Sequence, residues 1–242
     1  MSLTGKRTLV FGGTSGIGAA TAALFAGRGA DVVVTGRDEE RLAKAAAGGL
    51  TARRVDASAP GEVTAFFAED ARYDHLILAL SGAAGGGPFA TLDLADLRHG
   101  FEAKFWAHLR IVQAALPRLA PDGSVTFITA SSARAALPGT AGLAAINGAL
   151  EAMVRPLATE LAPLRVNAVS PGVIETPWWD GMPAEQRDAM FAAHAAALPV
   201  GRVGRPEDVA QAVLLAAANG FVTGQVIECN GGLTLPTGRA HT

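Results

Sequence analysis

Short apolar runs alternate along the chain with longer stretches of helical character. Thr8–Phe11, Asp31–Thr35, Leu50–Val55, His75–Leu80, Ser124–Thr129, Arg165–Val169 and Gln225–Cys229 read as strands, several of them β-branched and uninterrupted, as buried strands are. Ala19–Arg28, Asp38–Ala47, Gly61–Asp70, Asp93–Leu119, Thr140–Leu161 and Glu207–Ala218 read as helices between them. Pro206 sits just inside the start of the last, and a break is expected near Pro117. Strands alternating with helices imply right-handed βαβ units and a parallel sheet covered on both faces. Ligands of such sheets lie beyond the carboxyl ends of the strands. That rule selects Gly12–Gly18, Gly36–Asp38, Asp56–Ala57, Ala79–Gly82, Ala130–Arg134 and Pro171–Trp179.

The first of these segments is the most informative. Gly12, Gly16 and Gly18 fall between an expected strand and an expected helix, with Gly13, Thr14, Ser15 and Ile17 among them. Glycines there let the backbone approach a pyrophosphate, and the helix that follows offers its free N–H groups and positive end. With no repeat, low-complexity tract or long linker to divide the chain, residues 1–242 are expected to form a single doubly wound Rossmann-type α/β domain. About seven parallel strands would carry helices on both faces. The end of the second strand then chooses the cofactor. Gly36 offers no carboxylate to a ribose 2′-hydroxyl, and Arg37 offers a planar fork suited to a 2′-phosphate. Asp38 has the spacing of a ribose-binding acid but also suits the N-cap of the next helix, with Arg41 on its first turn. NADP is favoured over NAD.

Composition narrows the partners. The net charge is −2 with no basic stripe, so neither nucleic acid nor an anionic membrane is expected. No apolar run reaches the roughly 18 residues that span a bilayer, and the N-terminus lacks a signal-peptide pattern. Cys229 is the one cysteine, expected to pack as a small hydrophobe, and a cytoplasmic setting fits. No metal site is expected.

Further motifs extend the glycine turn: Gln113–Pro117, Arg165–Pro177, Gly201–Ala210 and Thr223–Gln225. With these the chain resembles the single-domain short-chain dehydrogenases/reductases over nearly its whole length. The resemblance implies hydride transfer between NAD(P)H and a carbonyl or alcohol. It implies that Val173 and Thr176 contact the nicotinamide end and that Asp56 and Ala57 lie beside the adenine. Ser81 and Gly82 fall in the loop after the fourth strand, where the family's asparagine contacts are lost.

The catalytic centre departs from the family's Ser, Tyr-x3-Lys and Asn. The tyrosine position is Leu143 and the lysine position is Asn147. Lys104 stands where the family has its asparagine, so lysine and asparagine are expected to have exchanged places, with the Lys104 ammonium entering from the opposite helix. An ungapped count puts Ala130 at the serine position, and a one-residue slip puts Ser131 there. Arg134 can bind an anionic substrate group or face water. Tyr73, the one tyrosine, starts the fourth strand at the wrong end of the sheet.

Residues 177–198 correspond to the family's substrate lid. Trp178, Trp179, Met182, Met190, Phe191 and Leu198 suggest an apolar substrate wall, or Met190, Phe191 and Leu198 pack the lid onto the body; Asp180 and His194 are its candidate acid–base groups. Phe101, Phe105, Trp106, Leu109 and Leu150 on the two long helices point to a homodimer or homotetramer. Three functions fit. The first is an NADP(H)-dependent oxidoreductase of a small, apolar carbonyl or alcohol with a non-standard centre, using Lys104, Ser131 and Asn147. The second is an NADP(H)-binding or sensor protein without turnover. The third is another chemistry on the same fold.

Overall fold

The computed structural model describes residues 1–69 and 71–235, so the expected helix end at Asp70 and the tail of the 1–242 domain lie outside the described residues. Seven strands form one parallel sheet: β1 (Arg7–Phe11), β2 (Asp31–Gly36), β3 (Thr51–Arg54), β4 (Tyr73–Leu78), β5 (Leu119–Ile128), β6 (Arg165–Pro171) and β7 (Val226–Cys229). Their order is β3-β2-β1-β4-β5-β6-β7, paired in parallel throughout. The chain winds outward from β1 to β3, then crosses back to β4 and winds the other way. The crevice between the ends of β1 and β4 is therefore the topological switch point, where ligands of open α/β sheets bind.

Alternation along the central strands sends side chains to two cores. Leu9, Phe11, Leu76 and Leu78 pack on one face under α3 (Pro60–Ala68), α5 (Ala107–Ala115) and α6 (Ala141–Glu160). Val10, Val32, Val34 and Ile77 pack on the other under α1 (Gly16–Ala26) and α8 (Pro206–Ala218), with α2 (Glu39–Ala47) beside them. A sheet buried on both sides needs apolar residues at odd and even positions alike, which is why these strands read as continuous runs.

The expected helix Asp93–Leu119 is not continuous. It comprises α4 (Leu94–Gly100), a π-helical segment (Phe101–Trp106), α5 and a 3-10 turn (Leu116–Arg118). Pro117 ends the helix as expected, and Leu119 already belongs to β5, paired with Tyr73. The π segment has no counterpart in the apolar periodicity. The lid consists of a 3-10 turn (Pro177–Trp179) and α7 (Ala184–Ala197), neither with a buried residue, and ends on Leu198, which is buried against the body. Among the described residues no helix is long and apolar enough to cross a membrane.

One residue assigned to the partner face belongs elsewhere. Leu150 is 1% exposed and lies in the core beneath α6, whereas Trp106 is 45% exposed. Phe101, Phe105, Trp106 and Leu109 remain as the apolar face, with Phe105 packed edge-on against both aromatic neighbours. Leu150→Ala should therefore cost about 2–5 kcal/mol in urea unfolding, the range for truncating a buried leucine. A loss under about 0.5 kcal/mol, the usual size for a surface substitution, would return Leu150 to the surface.

Candidate active site

The carboxyl ends of the central strands open onto a cleft of about 570 Å³. Gly12, Thr14, Ser15, Gly16, Ile17 and Gly18 line it where β1 turns into α1. A Cβ on Gly18 would stand 2.1 Å from the Gly12 carbonyl oxygen, so only glycine lets α1 begin this close to the strand. Ser15 caps α1 without a side-chain hydrogen bond, and the first turn carries no acid, whereas α2 and α8 both carry acids there. The helix end is left with its N–H groups and positive dipole for an anion.

Arg37, Arg41, Asp56, Ala57 and Ser58 line the same cleft beyond β2 and β3. A Cβ on Gly36 would meet Thr14 Oγ1 at 2.8 Å, which leaves little room for an acidic side chain there. Asp38 serves its own helix: Oδ1 accepts from the Arg41 backbone N–H at 2.9 Å. Asp56 accepts from the Ser58 hydroxyl and N–H at 2.6 and 2.9 Å. The hydroxyl bond, with Arg37 and Arg54 nearby, holds the Asp56 carboxyl below its usual range. Ser81 and Gly82 after β4, and Val173 and Thr176 after β6, also line the cleft. The glycine turn, the uncapped helix end and the two guanidiniums suit the residues to a phosphate-bearing dinucleotide.

The other half of the cleft is organised by a contact between two helices. Lys104, in the π segment, is 8% exposed, and its Nζ donates to Asn147 Oδ1 on α6 at 2.8 Å. Asn147 Nδ2 donates to the Leu143 carbonyl at 2.9 Å and to Ser132 Oγ at 3.2 Å. A carbonyl can only accept, so the amide orientation is fixed and Oδ1 must face the lysine. Lys104 Nζ also donates to the Thr129 carbonyl at 3.4 Å. An ammonium has three protons, so one is left for the cleft that Lys104 lines. Burial pushes the amine down to about 8, with the Glu151 carboxylate pulling the other way.

His108, one turn after Lys104, donates from Nδ1 to the Lys104 carbonyl at 2.6 Å. Burial, then the neighbouring lysine charge, pushes this imidazole down to about 4, so it is neutral near pH 7. A π segment inside a helix often marks a functional position, and here it carries the one lysine of the cleft.

The remaining expectations divide. Ser131 lines the cleft, and its Oγ is buried with no hydrogen-bond partner among the described residues. Ala130 and Leu143 line the cleft as well, so the serine position of the ungapped count and the tyrosine position are both apolar. Tyr73 is buried at the opposite end of β4, with Arg7 stacked 5.1 Å over its ring. Arg134 is neither open to an anion nor simply solvated, because it pairs with Glu151 at 2.9 Å and Glu228 at 2.8 Å. In the lid, Trp178 and Trp179 line the cleft, whereas Asp180 and His194 do not. Trp179 Nε1 donates to the Ile174 carbonyl at 2.8 Å, which ties the lid to the end of β6. Cys229 is partly buried and packs against the α8 side of the sheet.

Sequence reasoning did not single out Thr129, His108 or Glu151. Helical spacing was the available signal: His108 follows Lys104, and Glu151 follows Asn147, by four residues on one helix face.

Comparison with known proteins agrees with this geometry. The family model described as enoyl-(acyl carrier protein) reductase matches residues 12–234. The short-chain dehydrogenase/reductase ATR9 of Stachybotrys chlorohalonatus is 32% identical, over 97% of this chain and 99% of its own. A small-chain dehydrogenase solved in complex with NADPH is 33% identical with a TM-score of 0.84, over 95% of this chain and 99% of its own. The MalC reductase/Diels-Alderase of Malbranchea aurantiaca is 27% identical with a TM-score of 0.88, over 96% of this chain and 98% of its own. With the parallel sheet, the glycine turn and the cleft at the switch point, these matches establish that the chain belongs to the short-chain dehydrogenase/reductase family of oxidoreductases.

Proposed function

We propose that the protein is an NADP(H)-dependent reductase or dehydrogenase acting on a small, apolar carbonyl or alcohol through a rebuilt proton-delivery centre. The observation that carries this reading is the Lys104 amine, buried in the cleft wall and held by Asn147 at 2.8 Å. The cofactor supplies or accepts hydride when bound. Lys104 donates its remaining proton to the carbonyl oxygen during reduction, Asn147 orients the amine, and the free Ser131 hydroxyl binds the same oxygen. Leu137, Leu143, Trp178 and Trp179 form the apolar wall that selects the substrate. The lid, residues 177–198, and the cofactor half belong to one domain in this reading, and the setting is cytoplasmic. The aromatic face around Trp106 pairs copies of the chain into a homodimer or homotetramer.

Preference for NADP rests on Gly36, Arg37 and Arg41, and the NADPH complex of a 33%-identical relative supports it. MalC, named both reductase and Diels-Alderase, supports the idea that this frame accommodates more than ordinary ketone reduction.

Calorimetry on Arg37→Ala should find NADPH binding weakened by about 10–100-fold, the size of a lost charge-assisted hydrogen bond, with NADH binding little changed. Equal loss for both cofactors would remove the case for NADP selection.

On a panel of apolar aldehydes and ketones, Lys104→Met should lower kcat by about 10²-fold or more while NADPH binding stays within a few-fold. The ammonium exists below its pKa, so wild-type reduction should be flat at low pH and fall as pH rises through about 8. The reverse oxidation should rise over the same range. Tight NADPH binding with no turnover on any acceptor would favour the sensor reading instead.

A further inference from the structure

The chain holds 3 lysines among its 20 basic residues. Lys104 alone of the three is buried; Lys6 is half-buried on Asp74 and Lys44 is exposed on α2. A buried lysine ordinarily requires a carboxylate against it, yet among the described residues Lys104 makes no ion pair. Its two partners, Asn147 Oδ1 and the Thr129 carbonyl, are both neutral.

The nearest source of negative charge is one helical turn from Asn147. The Glu151 side chain is 8% exposed. Its Oε1 accepts from Thr129 Oγ1 at 2.8 Å, so one threonine touches both the carboxylate and the amine. Its Oε2 accepts from Arg134 Nε at 2.9 Å, and Arg134 also reaches Glu228 at the end of β7. From α5, the neutral His108 ring sets its nitrogens against the Lys104 and Leu78 carbonyls, not the amine. Glu151 on α6 is the charge that acts on the amine, and Arg134 in the turn after β5 links it to Glu228 on β7. Glu102, in the π segment itself, is turned out to Arg110.

We propose that Glu151 is a positioning residue that sets the charge state of the Lys104 amine through Thr129, and that Arg134 limits its influence by pairing with the same carboxylate. The proposal rests on the reading of Lys104 as the reacting cation. The carboxylate favours the ammonium across the shared threonine. Burial lowers the amine's hold on its proton, and the guanidinium, by neutralising part of the carboxylate's field, limits how far Glu151 reverses that. Removing the two ends of one ion pair should therefore have opposite consequences. A purely structural role, anchoring the 131–134 turn on α6, would make them alike.

The test is a direct titration of Lys104 by NMR in protein labelled with [13Cε]-lysine, where 3 lysines give an uncrowded spectrum. Glu151→Gln keeps the hydrogen-bonding shape and removes the charge; its Lys104 inflection should fall by about one pH unit. Arg134→Met should raise the inflection by a similar amount, and Arg134→Lys should restore the wild-type value. The Lys6 and Lys44 resonances serve as internal controls and should not move. Shifts of the same sign in Glu151→Gln and Arg134→Met, or no shift in either, would overturn the proposal. The resonance titrates with or without turnover. An error about the reaction would leave these shifts in place, whereas an error about Glu151 would abolish them.

Discussion

The hydrogen bond from Lys104 Nζ to Asn147 Oδ1 is the contact on which the inner half of the cleft depends. Moving an ammonium out of water costs several kcal/mol unless good partners replace the solvent. The chain meets that demand with neutral dipoles rather than a direct ion pair. Asn147 is locked by the Leu143 carbonyl and Ser132 Oγ, so its own oxygen has no choice of direction. The Thr129 carbonyl, just past the end of β5, adds a second acceptor. A lysine held this way keeps a proton available, whereas a guanidinium could not release one.

The fold supplies the geometry for this contact and for the cofactor at separate places. The reversal of winding at β1 and β4 opens the crevice, and the glycine turn closes α1 onto it. These features would be the same with any catalytic group. The π segment and α6 then present Lys104 and Asn147 from facing helices, and the lid adds Trp178 and Trp179. The glycine turn and the Lys104–Asn147 contact thus sit on separate elements of one cleft.

Much of the framework was legible in the sequence because its causes are local. Continuous apolar runs gave the strands, since a parallel sheet buries both faces of Val33 and its neighbours. Gly36 and Arg37 could be placed on the cleft because the end of β2 has one position in such folds. Asp38 was readable as an N-cap from its place before Glu39 and Glu40. The π segment was not legible, because Phe101–Trp106 has the same apolar spacing that an α-helix would have. Leu150 faces the core and not a partner; periodicity shows that a face is apolar without showing which neighbour covers it. Arg134 is ambiguous in sequence for a related reason: Glu151 and Glu228 reach it from α6 and β7, across long separations in sequence.

The central claim is that Lys104 and Asn147 act as a unit with their positions exchanged relative to the family pattern. A double-mutant cycle on NADPH oxidation tests it most directly, using Lys104→Asn, Asn147→Lys and the two together. The account predicts that each single change lowers kcat/KM by about 10²-fold, one by removing the cation and the other by setting two cations against each other. The double exchange should recover at least about tenfold over either single change, because the same two groups again face each other across the cleft. Losses that simply add, or a Lys104→Asn variant as active as the wild type, would contradict it.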